Sequence, residues 1–95
     1  MKHEKIILDE LGKLKNVFGD FAIDYKPHIG VIQGKFWTYF HNSKYYCEFI
    51  YYELYQKLVF SDNKKYSKIC DTSKDDITKF FKDILDEISR ECYYE

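Results

Sequence analysis

Residues 36–60 read FWTYFHNSKYYCEFIYYELYQKLVF and hold more than half of the chain's aromatic side chains. Aromatic and β-branched residues suit a pleated, half-buried surface, so this stretch reads as the central strands of a sheet. Within it Tyr45, Cys47, Phe49 and Tyr51 fall on one face of a strand, and Tyr46, Ile50 and Tyr52 on the other. A helical reading competes, because Tyr46, Ile50, Leu54 and Leu58 are spaced by four; the passage through residues 53–55 stays open between the two. The chain carries 10 tyrosines, more than a core of this size can hide with every hydroxyl satisfied. One part of the sheet is therefore expected to be core and another part a contact surface.

Working upstream, Gly34 interrupts a strand expected from Val31 to His41 and marks a bulge or a close backbone approach. Pro27 and Gly30 place a turn near 27–30. Before it, Phe21, Ile23 and Tyr25 alternate with Ala22, Asp24 and Lys26, which predicts a short half-buried strand. Ile7, Leu11, Leu14 and Phe18 recur at helical spacing, so a first helix is expected over 2–18, with Gly19 as its left-handed stop. Downstream, residues 42–44 link the two central strands, and a further hairpin is expected with its first arm at 58–60, a turn at 62–64 and a second arm at 66–70. Only the first arm of that hairpin is strongly apolar.

The last element is the plainest. Ile77, Phe80, Phe81, Ile84, Leu85 and Ile88 form one broad apolar stripe, predicting a helix from about Lys74 to Glu91 capped by Ser73. Acids at 75 and 76 suit the positive end of its dipole, and Arg90 suits the other. The expected architecture is one α+β domain over 1–95: an N-terminal helix, a three- to four-stranded mostly antiparallel sheet, and a C-terminal helix, stacked as a two-layer sandwich.

The net charge of −1 gives no global field to attract a polyanion. Lysine is in excess over 35–70 and acid over 71–95. No apolar run reaches the length of a secretion signal or a membrane span, and three cysteines (Cys47, Cys70, Cys92) are an odd, widely spaced set. Free buried thiols in a reducing cytoplasm are the expectation.

No spacing names a reaction. His41 and Cys47 flank a hairpin turn, with Glu48 and Glu53 nearby, yet nothing defines an activating base and its orienting partner. The three histidines (His3, His28, His41) and the cysteines lack metal-ligand spacing, and Gly30 and Gly34 lack the rest of a phosphate loop. Neither catalytic residue, metal ligand nor cofactor is expected. Lys35, Lys44, Lys57, Lys64, Lys65 and Lys68 interleave with the aromatics, as in proteins that stack bases and track phosphates. The element order also resembles the double-stranded-RNA-binding domain. That family's second helix opens with a basic cluster; here it opens with Ser73-Lys74-Asp75-Asp76, and the chain has one arginine, which argues against nucleic acid.

The tyrosine excess is the strongest functional signal, because tyrosine brings large, rigid contact area with a polar tip. Tyr39, Tyr51, Tyr52 and Tyr55, with Asp83, Asp86 and Glu87 on the last helix, are the expected partner-binding residues. In size, Tyr/Lys/Asp-rich composition and element order the chain resembles the small immunity proteins of bacterial contact-dependent toxin systems. The resemblance implies a non-enzymatic, one-to-one complex with a cognate toxin domain, such as a nuclease, whose active site is blocked. It carries no motif, so it assigns no residue. A phage-type anti-defence inhibitor and an RNA-binding domain are the other readings, and a homodimer is compatible with the composition.

Overall fold

Strict alternation of large apolar residues along 45–51 decides how the chain folds. Tyr45, Cys47, Phe49 and Tyr51 are buried while Tyr46, Glu48 and Ile50 are not, the pattern of a strand with one face on a core. The structure is a computed structural model and describes residues 1–40 and 42–93, with side chains through Arg90. His41 lies outside the described residues, as do Tyr94 and the side chains of Cys92 and Tyr93.

The order is α1 (Glu4–Leu14), β1 (Asp20–Lys26), a 3-10 turn at Pro27–Ile29, β2 (Val31–Phe40), β3 (Ser43–Tyr52), β4 (Lys57–Asp62), β5 (Ser67–Asp71) and α2 (Ile77–Tyr93). The strands form one antiparallel meander, β1-β2-β3-β4-β5. The sheet has five strands, not three to four. Both arms of the last hairpin join it, and β5 pairs from Ser67 to Asp71 although Cys70 is its one buried residue. An edge strand needs partners on one side only, so its weak apolar pattern concealed it. The open question at 53–55 resolves as a turn over 53–56 between β3 and β4.

Register places Gly34, Phe49, Phe60 and Lys68 in one row across β2 to β5. Leu11 of α1 lies over Gly34, where an added Cβ would stand 2.9 Å from Leu11 Cδ2. Phe81 of α2 stacks on Phe49 at 4.7 Å between centroids, and Asp83 reaches Lys68 at 3.5 Å. Both helices thus pack on the face that carries this row. Gly34 marks a close approach rather than a bulge, since the β2 ladder runs on unbroken.

Three boundaries differ from the sequence reading. Helix α1 ends at Leu14 and leaves through i→i−3 bonds (Lys15 to Gly12, Asn16 to Lys13), so Phe18 is buried from a turn and Gly19 is not a left-handed cap. Helix α2 begins at Ile77 rather than Lys74, with Asp76 as its cap: Asp76 Oδ1 accepts from Lys79 N at 3.1 Å. Ser73 is instead held in a preceding turn, where its N–H and hydroxyl donate to Asp71 Oδ1. β1 is mostly exposed rather than half-buried, because α1 centres on β2 and of the β1 residues only Ile23 packs against the core.

Phe81 is buried against Phe49 and Phe80 at the centre of this packing. Phe81→Ala is expected to cost ~3–5 kcal/mol. For a chain of this length that lowers Tm by more than ~12 °C. A variant melting within a few degrees of the parent would remove Phe81 from the core.

Candidate partner-binding surface

The residues that alternate with the core row point the other way. This outer face carries Trp37 and Tyr39 from β2, Tyr46, Ile50 and Tyr52 from β3, Val59 from β4 and Ile69 from β5. Trp37 and Tyr46, opposite each other in register, lie 5.4 Å apart between ring centroids. The Tyr46 hydroxyl donates to Glu48 Oε2 at 3.1 Å, and Gln33 Nε2 donates to the same oxygen at 2.8 Å. Burial and then the Glu48 bond raise the Tyr46 pKa, so the phenol stays neutral and holds that carboxylate in place. Lys57 Nζ and Asp71 Oδ2 close the far side at 2.9 Å. The Ser73 hydroxyl, followed by Lys57, holds the Asp71 carboxyl well below the usual carboxylate range. The result is an aromatic and aliphatic field in which Glu48, Lys57 and Asp71 are bonded, while Lys35 and Lys44 stand on the same face with no ion pair among the described residues.

Tyr39 and Ile69, 71% and 64% exposed, stand at opposite sides of this field. A groove of about 600 Å³ runs beside Tyr39 between Asp20, Trp37 and Lys44. At the other end Tyr52 leads into the exposed turn Leu54-Tyr55, which neighbours Ile29 through the bond from Glu53 N to Gly30 O at 2.9 Å.

Of the tyrosines expected at the surface, Tyr39, Tyr52 and Tyr55 are exposed and Tyr51 is not. Tyr51 is 0% exposed and faces the helices, because it shares parity with Phe49. Burial raises the pKa of its phenol. The acids of α2 sit on the helical side of the sheet, away from the outer-face tyrosines. Asp83 is paired with Lys79 at 2.7 Å and with Lys68, and the Lys79 bond lowers its pKa. Glu87 bonds Arg90, and Asp86 is exposed. Along α2 the ion pairs are thus Lys79–Asp83 and Glu87–Arg90. Trp37, Tyr46, Ile50, Val59 and Ile69 are the surface residues that the candidate set missed; parity with Tyr39 and Tyr52 was the signal that could have found them.

The sites weighed for other chemistry look different in three dimensions. Cys47 is wholly buried, and desolvation pushes its thiol up to about 12, so it holds no thiolate near neutral pH. Among the described residues no group of three or more His, Cys, Asp or Glu is arranged to hold a metal ion, and no helix is long and apolar enough to cross a membrane. Lys57 and Lys68 are engaged with Asp71 and Asp83. The five-stranded sheet also departs from the α-β-β-β-α order of the RNA-binding domain. In comparisons with known proteins, no protein family, curated protein or solved structure matches this chain.

Burial of both inner thiols yields a direct check. Cys47 and Cys70, the latter pushed up to about 11 by burial, should stay unmodified by iodoacetamide at mildly alkaline pH and react once the protein is unfolded in urea. Peptide mapping showing rapid native labelling of Cys47 would return it to the list of candidate nucleophiles.

Proposed function

We propose that this chain is a non-enzymatic protein-binding module, an immunity-type protein that binds a cognate bacterial toxin domain in the cytoplasm, one to one, and blocks its active site. The observation that carries this reading is the outer sheet face, where Trp37, Tyr39, Tyr46 and Tyr52 lie with Ile50, Val59 and Ile69, while among the described residues both helices pack on the opposite face. On this reading the fold is a two-layer sandwich with its open side reserved for the partner. Strand spacing and rise make the field roughly 20 by 25 Å. Its ~500 Å², extended by the Leu54-Tyr55 turn, approaches the ~800 Å² that each partner contributes to a standard protein interface. Against a phosphate backbone stand the carboxylates of Glu48 and Asp71 on the same face.

The α2 acids then act at a distance rather than by contact. Asp83, Asp86 and Glu87 bias the approach of a basic toxin surface, while the tyrosines set how long the complex lasts. Tyr39 and Tyr52 are the anchors, and Tyr51 supports the core beneath them.

Coexpression with the product of the gene immediately upstream, tested as the cognate toxin, is the experiment, with growth and complex kinetics as readouts. The chain should restore growth, and Tyr39→Ala or Tyr52→Ala should speed dissociation by ~10-fold or more. Replacing Asp83, Asp86 and Glu87 together by Ala should slow association at low salt and leave dissociation nearly unchanged. Trp37, the only tryptophan, should report the event by a shift in emission. A folded chain that neither binds the toxin nor restores growth would overturn the proposal; RNA binding with a steep salt dependence would replace it.

A further inference from the structure

The two edges of the sheet are not equally protected. β5 is five residues long, and its Lys68 is engaged with Asp83 and lies over the Phe80 ring at 5.8 Å, so α2 guards that edge. β1 is seven residues long, has no proline and no break in its ladder, and among the described strands it pairs with β2 alone; α1 touches its inner face, through Glu4 on Tyr25, without covering its outer edge. A bare edge of that length is a template for another strand, and single-chain proteins usually blunt it.

The sequence of β1 says which strand fits. We propose that β1 pairs antiparallel with β1 of a second copy of this chain, joining two sheets into one of ten strands about a two-fold axis at Ile23. In this register Asp20 faces Lys26 of the second copy at both ends, Phe21 faces Tyr25, and Ile23 faces itself. Sliding by one pair in either direction sets Asp20 against Asp24, or Asp24 against itself, which like charge opposes. Self-pairing of β5 offers no such match, since its central Ile69 is flanked by Lys68 opposite Cys70.

A second layer of charge agrees with the first. Phe21 and Tyr25 point to the helical side and are 44% and 43% exposed, so the pairing covers apolar surface that is otherwise wet. Lys15 Nζ lies 5.1 Å over the Phe21 ring, and the Tyr25 hydroxyl bonds Glu4. Placing Phe21 opposite Tyr25 therefore brings Lys15 of each copy beside Glu4 of the other. Steric room is adequate: α1 sits over β2, and the two β2 strands lie ~14 Å apart, wider than the ~8–10 Å at which helices pack. Asp20 Oδ1 accepts from Phe21 N in the single copy, a local bond that Lys26 of the second copy competes for. An edge-to-edge contact of two seven-residue strands is small beside a standard interface, so the association is sought over ~1–100 µM protein.

Sedimentation velocity over a concentration series, without any partner, reads this separately from toxin binding. The parent should pass from monomer to dimer across that range. Asp20→Lys alone and Lys26→Asp alone should each stay monomeric, because each sets like charges opposite at both ends. An equimolar mixture of the two should dimerise, as should the chain carrying both changes, since each restores the opposite pairs. Circular dichroism and melting checks that every variant is folded. A parent that stays monomeric throughout would overturn the proposal. A dimer unaffected by either single reversal would overturn it equally, assigning association to another surface.

Discussion

Phe49 is the side chain on which the rest of the structure depends. Its ring stacks on Phe81 at 4.7 Å, meets Phe60 at 4.9 Å and abuts Phe36 edge-on at 6.2 Å. It stands opposite Gly34, over which Leu11 closes. One residue on the middle strand thus ties β2, β3 and β4 to α2, beside the point where α1 closes on Gly34. The arrangement works because Gly34 has no side chain: the space a Cβ would need is occupied by Leu11, which lets α1 settle against β2 while Phe49 fills the neighbouring ground. Packing at interior density tolerates little change at such a point.

That constraint has a consequence on the far side of the sheet. Fixing Phe49 inward fixes Glu48 and Ile50 outward, and with them Tyr46 and Tyr52, since a strand has no other option. The tyrosine excess therefore divides by parity rather than by exposure to chance. Tyr45 is buried with its hydroxyl donating to Asp62 Oδ2 at 2.9 Å, whereas Tyr46 next to it faces out and bonds Glu48. The outer field follows from the same alternation that builds the core.

Much of this was legible in the chain before any fold was known. The stripe of α2, the strand spans 21–26, 31–41 (of which His41 lies outside the described residues) and 45–52, and the turn at 27–30 all emerge from periodicity and from Pro27 and Gly30. Parity within β3 was legible too, yet Tyr51 was placed among the binding residues because it is a tyrosine, against its own alternation with Phe49. What periodicity could not supply was where each helix lies across the sheet. That placement decides why β1 is exposed despite alternating like a half-buried strand, and why the acids of α2 stand apart from the tyrosines. Cap chemistry misled for a local reason: Asp71, two residues before Ser73, captures the hydroxyl that would otherwise have capped α2. The candidate surface was half legible, as a set of residue types without a geometry.

The central claim is that alternation about Phe49 sorts the tyrosines into a core set and an open outer set. Hydroxyl-radical footprinting of the native protein, read tyrosine by tyrosine, tests this most directly. Tyr39 and Tyr55 should be modified fastest and Tyr52 should follow, while Tyr45 and Tyr51 should react only after unfolding. Modification of Tyr51 in the native protein at the rate of Tyr39 would contradict the account, because the sheet would then face the other way.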